Sequence, residues 1–303
     1  MKHVDAILTA DIHLRESIPE CRTDDFMAAQ TKKHLFLKSL QEKYNVPILV
    51  AGDLFHHWKP SPYLLGYSLA TLADGICAVP GQHDLPGHSL ENIEKSGIHV
   101  LAEADKIILL SPDRELIHCS QDCPKIEIHG FPWGVELKNV KRTNKVKIAM
   151  VHKLVYKGKE PFPGAENHGG TAKLIIRKLS GYNLVLTGDN HETFTERIGD
   201  TLLVNPGSFM RSTASQIDHR PSVFLWNADD NEIEQVYLPC DKKAVSREHI
   251  EVRAERDERI EAFVSRLNHN VEIGLSFDAN VSAYLAKNRV SKGVQTLIRE
   301  AMQ

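Results

Sequence analysis

Five short polar clusters in this 303-residue chain each follow an apolar run. "ILTADIH" offers Asp11 and His13, and "ILVAGDLFHH" offers Asp53 and His56. "CAVPGQHD" offers Gln82, His83 and Asp84, "IAMVHK" offers His152, and "LVLTGDNH" offers Asp189 and His191. Carboxylates mixed with imidazoles suit manganese, iron or zinc better than calcium. Such a set can hold two ions about 3.5–4 Å apart, which grip a phosphoryl oxygen and acidify a water. Asp53 sits on a strand–Gly–Asp turn, where one carboxylate can reach both ions. His83 can protonate a leaving oxygen, with Asp84 bonded to its other nitrogen. Taken singly, an Asp-x-His or a Gly-Asp arises by chance and a lone histidine is usually structural. Five in order, all at strand ends, point to one metal site.

That convergence needs an α/β frame, because sites in open sheets form at the carboxyl ends of strands. The β-rich runs are 6–9, 48–51, 76–79, 106–110, 125–130, 145–151, 184–187, 201–204, 222–226 and 232–238. Helical patterns span 26–43, 63–74, 89–95 and 171–179, and their alternation with strands predicts parallel pairing. Beyond about residue 240 the texture changes. A charged helix is expected near 246–267, with Ile260, Phe263, Val264 and Leu267 on one stripe. "NVEIGLSF" then alternates at period two, and two short helices follow. The expected division is 1–240 and a small α+β appendage over 241–303.

Composition is that of an ordinary globular protein, with 42% hydrophobic and 25% charged residues. No apolar run reaches the length of a membrane span, and the first residues read as a strand rather than a signal peptide. Of five scattered cysteines only Cys119 and Cys123 are close, a weak metal signal, so a reduced cytoplasmic protein is expected. A net charge of −3 argues against a general polyanion binder. Yet residues 138–178 carry eleven Lys or Arg against two acids, enough to steer a phosphate backbone to one face or simply to make a solvated loop.

The order Asp-x-His, Gly-Asp, Gly-Gln-His-Asp, His, Gly-Asp-x-His resembles the calcineurin-like metallophosphoesterases over residues 5 to about 225. "GDLFHHWKPSPY", "CRTDDFMAAQ", "DLPGHSLENIEKSGIHVL" and "NPGSFMRS" are similar to segments of the SbcD-type DNA-repair nucleases. The resemblance implies a four-layer α/β/β/α sandwich with two metals at the strand ends. One metal would take Asp11, His13, Asp53 and His191. The other would take Asp53, Gln82, His152 and Asp189. His83 would be general acid or transition-state stabiliser, oriented by Asp84, and His56 would contact the phosphate. The implied activity is 3′→5′ exonuclease and single-strand endonuclease cleavage of DNA. Lys138, Lys141, Arg142, Lys145 and Lys153 would hold the DNA backbone. The implied partners are a second copy, through "PYLLGYSLATLAD", and an SMC-like (SbcC-type) ATPase docked near the C-terminus.

Two positions depart from the family pattern. Gln82 stands where the family has Asn, and Asp189 where it has His. The more anionic, harder set favours manganese or magnesium over zinc. A phosphatase or small-molecule phosphodiesterase on the same fold stays open, as does a DNA-binding scaffold with a decayed metal site.

Overall fold

The computed structural model describes residues 3–111, 116–118, 126–270, 277–288 and 290–302. They separate into two compact units, Met1–Ser246 and Arg247–Gln303.

In the first unit the apolar runs become strands of two six-stranded sheets. One sheet holds β1 (Ala6–Thr9), β2 (Ile48–Ala51), β3 (Ile76–Val79), β4 (Ile107–Leu109), β13 (Ser222–Asn227) and β14 (Glu232–Tyr237), in the order β14-β13-β1-β2-β3-β4. The other holds β5 (Leu116–His118), β6 (Ile126–Phe131), β7 (Val146–His152), β10 (Leu184–Gly188), β11 (Phe194–Ile198) and β12 (Thr201–Asn205), in the order β11-β12-β10-β7-β6-β5. A short parallel pair, β8 (Leu154–Tyr156) and β9 (Gly169–Thr171), lies apart. The central strands β1, β2 and β3 run parallel to one another, as do β6, β7, β10 and β12. Parallel strands are covered on both faces, which is why they read as unbroken apolar runs.

The pleat sorts those side chains into layers. Ile7, Ile48, Val50 and Ile76 face outward onto α1 (Phe26–Tyr44), α2 (Pro62–Thr71) and α3 (Gly97–Glu103), meeting Leu37, Leu64, Ile98 and Leu101. Leu8, Leu49 and Val79 face inward and pack with Ile148, Met150, Leu186 and Trp226 between the sheets. On the far side Ala149, Val151 and Val185 pack under Ile175 and Ile176 of α4 (Ala172–Lys178). The result is the expected α/β/β/α order of layers.

Local signals explain most helix starts. Asp25 accepts from the Ala28 amide ahead of α1, and Ser61 from the Leu64 amide ahead of α2, with Pro62 opening the helix. The expected helix over 63–74 stops at Thr71, because Leu72 turns extended. The segment Leu90–Lys95 is a 3-10 helix broken at Asn92, and α3 follows it without a counterpart among the expected helices. The edge strand β11 is likewise absent from the sequence pattern: its polar composition hides it, since only its pairing to β12 holds it in the sheet.

Residues 241–246 belong to the first unit, where the Ser246 amide donates to the Cys21 carbonyl at 2.8 Å. The second unit contains α5 (Glu248–Asn270), α6 (Phe277–Lys287) and α7 (Lys292–Ala301). The alternation at 271–276 lies outside the described residues, as do Cys119 and Cys123 and the side chains of Phe263 and Leu267; Phe277 opens α6. Among the described residues no helix is long and apolar enough to cross a membrane.

Helix α1 also buries a histidine that sequence patterning does not account for. His34 is fully enclosed, stacked on Phe209 at 5.0 Å between ring centroids, and neither ring nitrogen has a hydrogen-bond partner. Burial, reinforced by neighbouring Lys33, pushes its pKa down to about 3. The unfolded chain therefore takes up a proton at this residue from about pH 6.5 downward that the fold refuses, and stability falls with pH over that range. We expect His34→Phe to remove a slope of about 1.4 kcal/mol per pH unit between pH 6.5 and 5. Urea midpoints of both proteins across that range check it; identical slopes would contradict it.

Candidate metal centre

Each of the five clusters leaves the carboxyl end of a parallel strand: β1, β2, β3, β7 and β10. To turn side chains back over the strand ends, Asp11, His13, Asp53 and Asp189 adopt positive φ of 47°, 50°, 50° and 81°. Asp and His tolerate this region better than most residues, but a run of such positions concentrates at functional sites. The two sheets also touch here. A Cβ on Gly52 would lie 1.9 Å from His152 Nδ1, and one on Gly188 would lie 2.0 Å from the Ala51 carbonyl oxygen. Only glycine permits that approach, and it brings β7 and β10 of one sheet against the end of β2 in the other.

The donor atoms meet closely. His13 Nε2 and His191 Nε2 are 3.1 Å apart. Asp53 Oδ2 lies 3.7 Å from His13 Nε2 and 3.4 Å from His152 Nε2, midway between the two halves. Asp11 groups with His13 and His191 on one side and with Asp53 and His152 on the other, so two carboxylates rather than one lie between the halves. His152 Nδ1 donates to the Ala51 carbonyl at 2.7 Å, which turns Nε2 toward Gln82 Oε1 at 2.7 Å. The Gln82 amide then donates through Nε2 to Asp189 Oδ1 at 2.6 Å, spanning the two residues that depart from the family pattern. The Asp189 amide donates to both oxygens of Asp11.

The electrostatics of this set call for a cation. Burial alone would keep the His152 ring neutral, but Asp53, Asp11 and Asp189 outweigh it and raise its pKa to about 10. Burial likewise opposes charge on Asp53, yet His152, His13 and His83 hold its carboxyl below the usual range. His13 is driven well below the ordinary imidazole value by burial and so carries the lone pair a ligand needs. The pull that puts a proton on His152 is one a divalent ion would answer, and the mixed oxygen and nitrogen donors fit such an ion. Asp11, His13, Asp53, His152 and His191 are placed to hold metal, with Gln82 and Asp189 beside them.

His83 and His56 stand over this set. Their rings stack at 5.5 Å, and the His83 ring is 5.0 Å from that of His13. Burial, then Arg15 and His83, push the His56 pKa down to about 4, so it is neutral at pH 7. One expectation needs correction. Asp84 does not orient the His83 ring; its buried carboxylate accepts from the Leu54, Phe55 and Gly81 amides at 3.1, 2.8 and 3.0 Å. The 3-10 turn Gln82–Asp84 aims it back at the β2 loop, and burial and Asp53 raise its pKa to about 7. His83 is oriented instead by the His56 carbonyl, 3.0 Å from Nδ1.

The basic stretch divides. Lys138 and Lys153 line an open groove of about 680 Å³ together with Arg177 and Lys178. A cavity of about 170 Å³, lined by Trp133, His152 and Lys153, shares Leu137 and Lys153 with this groove and His152 with the metal residues. Arg142 instead pairs with Asp200 at 2.8 Å, and Lys145 pairs with Glu127. Lys141 offers its carbonyl to Lys147 Nζ. Arg177 and Lys178 belong to the basic stretch 138–178 but are not singled out by sequence, because they close a helix, where cations usually serve the helix end.

Asn205 is not singled out by sequence either. It is fully buried, donates to the Asn190 and Glu192 carbonyls at 2.6 Å each, and accepts from Thr187 Oγ1 at 2.8 Å. It thus clamps the loop that carries Asp189 and His191. We expect Asn205→Ala to leave the chain folded but to weaken manganese binding about 10–100-fold. Calorimetric titration measures it, and unchanged affinity would show that the clamp does not position the ligands.

The family model of the calcineurin-like phosphoesterase superfamily domain matches residues 5–230. No curated protein sequence matches. Among solved structures, an archaeal phosphodiesterase aligns at 15% identity over 77% of this chain and 99% of its own, with a TM-score of 0.40. A hypothetical protein from Pyrococcus horikoshii OT3 aligns at 13% identity over 84% and 94%, with a TM-score of 0.41. The family match covers all five strand-end clusters, and the chain belongs to the calcineurin-like phosphoesterase superfamily.

Proposed function

We propose that this metal-dependent phosphoesterase is a DNA nuclease that hydrolyses phosphodiesters with two divalent ions, manganese or magnesium. The observation that carries the reading is the set of shared lining residues: His152 lines a cavity that has Leu137 and Lys153 in common with the groove of Lys138, Arg177 and Lys178. Among the described residues that line the groove Glu136 is the one acid, against Lys138, Lys153, Arg177 and Lys178, so the groove carries excess positive charge. A single small phosphoester needs no such extension, whereas a polyanion is held by it.

When bound, the ions would neutralise the phosphoryl group and acidify the attacking water. The chain's own part is proton handling and orientation. His83 Nδ1 donates to the His56 carbonyl, so Nε2 is the atom that faces the ester, and when the ring holds a second proton there it can pass it to the leaving oxygen. His56, neutral at pH 7 and stacked on His83, hydrogen-bonds a phosphate oxygen rather than pairing with it as a cation. The cavity beside Trp133 favours a second reading, a small-molecule phosphodiesterase, because it would hold a compact ester group. The resemblance extends the first reading to a second copy and an ATPase partner. Exposed Tyr63 and Leu69 on α2 support the former, and exposed Val294 and Leu297 on α7 the latter.

Hydrolysis of bis-p-nitrophenyl phosphate, p-nitrophenyl phosphate and end-labelled linear DNA separates these readings. We expect manganese-dependent cleavage of the diester and of DNA, weak activity in zinc, and a loss of about 10²–10⁴-fold in His83→Ala. Replacing Arg177 and Lys178 by Ala should raise KM for DNA and leave the small diester unaffected. It should also flatten the salt dependence of DNA binding, by about 0.9 in logarithmic slope for each phosphate that is no longer neutralised. Turnover of the small esters with intact DNA would overturn the nuclease reading.

A further inference from the structure

A second groove opens beside the metal residues, with His191 in its lining. It begins at His191 and encloses about 720 Å³, within the range of roughly 300–1,000 Å³ typical of ligand sites. Its charge differs from that of the basic groove. Glu192 and Asp218 line it against Arg220, so it does not suit a run of phosphates. It does contain an aromatic surface. The Arg220 guanidinium lies 3.6 Å from the centre of the Tyr237 ring, and Tyr237 is 44% exposed on the edge strand β14.

The opposite wall is fixed before any ligand arrives. Gln216 accepts from the Ser212 and Thr213 amides and donates to Ser208 Oγ at 2.7 Å, while His219 donates to the Ser208 carbonyl at 2.9 Å. The Ser208 amide in turn donates to the His191 carbonyl at 3.1 Å, so this wall is tied to a metal-site residue. A preformed groove with mixed charge and a guanidinium-on-ring platform fits a flat, uncharged, hydrogen-bonding group. Bases of single strands are held on such platforms with little regard to sequence.

We infer that the groove starting at His191 is a nucleoside subsite, in which an unpaired base beside the scissile phosphate stacks on the Tyr237–Arg220 pair. The inference rests on the nuclease reading above and deepens it. The basic groove takes phosphates, and this groove takes a base. A base must leave the duplex to enter it, so single strands and frayed ends are better substrates than blunt duplex.

The test is KM for a single-stranded oligothymidylate with manganese, measured for the unaltered protein, Tyr237→Ala and Tyr237→Phe. Bis-p-nitrophenyl phosphate serves as the control that has no base. Tyr237→Ala should raise KM about tenfold, the size of one base–aromatic stack, while Tyr237→Phe stays within about twofold. Hydrolysis of the small diester should be the same in all three. An oligonucleotide of abasic residues should erase the difference between the unaltered protein and Tyr237→Ala. Cleavage of DNA with KM unchanged in Tyr237→Ala would overturn the subsite and leave the pair a surface contact of β14. Turnover of the small diester with no DNA cleavage by the unaltered protein would instead remove the nuclease reading, and the subsite with it.

Discussion

The first unit is organised around one electrostatic constraint. Two enclosed carboxylates, Asp11 and Asp53, meet three imidazoles, and the His13–His191, His13–Asp53 and His152–Asp53 separations are only 3.1–3.7 Å. Such a set is costly unless a positive charge sits among it. The backbone yields to the same demand. Four of the donor-bearing residues take left-handed conformations, and Gly52 and Gly188 give up side chains so that the sheets can close at this point. The surrounding layers supply the rigidity that holds this arrangement, since their inner faces are fully packed from Leu8 to Trp226.

The arrangement also explains how the fold divides labour around the centre. The β7 side ends in His152, which lines a cavity with Trp133 that shares Leu137 and Lys153 with a basic groove. The β10 side ends in His191 and opens into a groove of mixed charge with an aromatic edge. Both grooves are lined mostly by loops and helix ends, where binding residues commonly sit. The Gln82 amide reaches the Asp189 carboxylate, so the two positions that depart from the resembled motif order touch one another.

Much of this was legible in the sequence, for identifiable reasons. Buried parallel strands leave unbroken apolar runs, and the polar residue that ends each run marks the rim, so Asp11, Asp53, His152 and His191 could be placed without coordinates. What failed depended on direction rather than on spacing. Asp84 adjoins His83 in sequence, but the 3-10 turn points its carboxylate at the Leu54, Phe55 and Gly81 amides. Lys138 and Arg142 look equivalent in a basic stretch, but Arg142 is engaged by Asp200, which is distant in sequence. Asn205 reads as an ordinary loop residue, because its partners come from β10 and from the loop after it. The edge strand β11 and the glycine-rich β9 carry too little apolar pattern to stand out, and β8, though apolar, is only three residues long.

The central claim is that these donors form one centre for two ions, with Asp53 and Asp11 between them. Electron paramagnetic resonance of the chain titrated with manganese tests it most directly. The account predicts a spin-coupled pair at two equivalents of manganese, with the coupling lost in Asp53→Asn. Saturation at one ion, or two ions that give only the spectrum of isolated manganese, would contradict it.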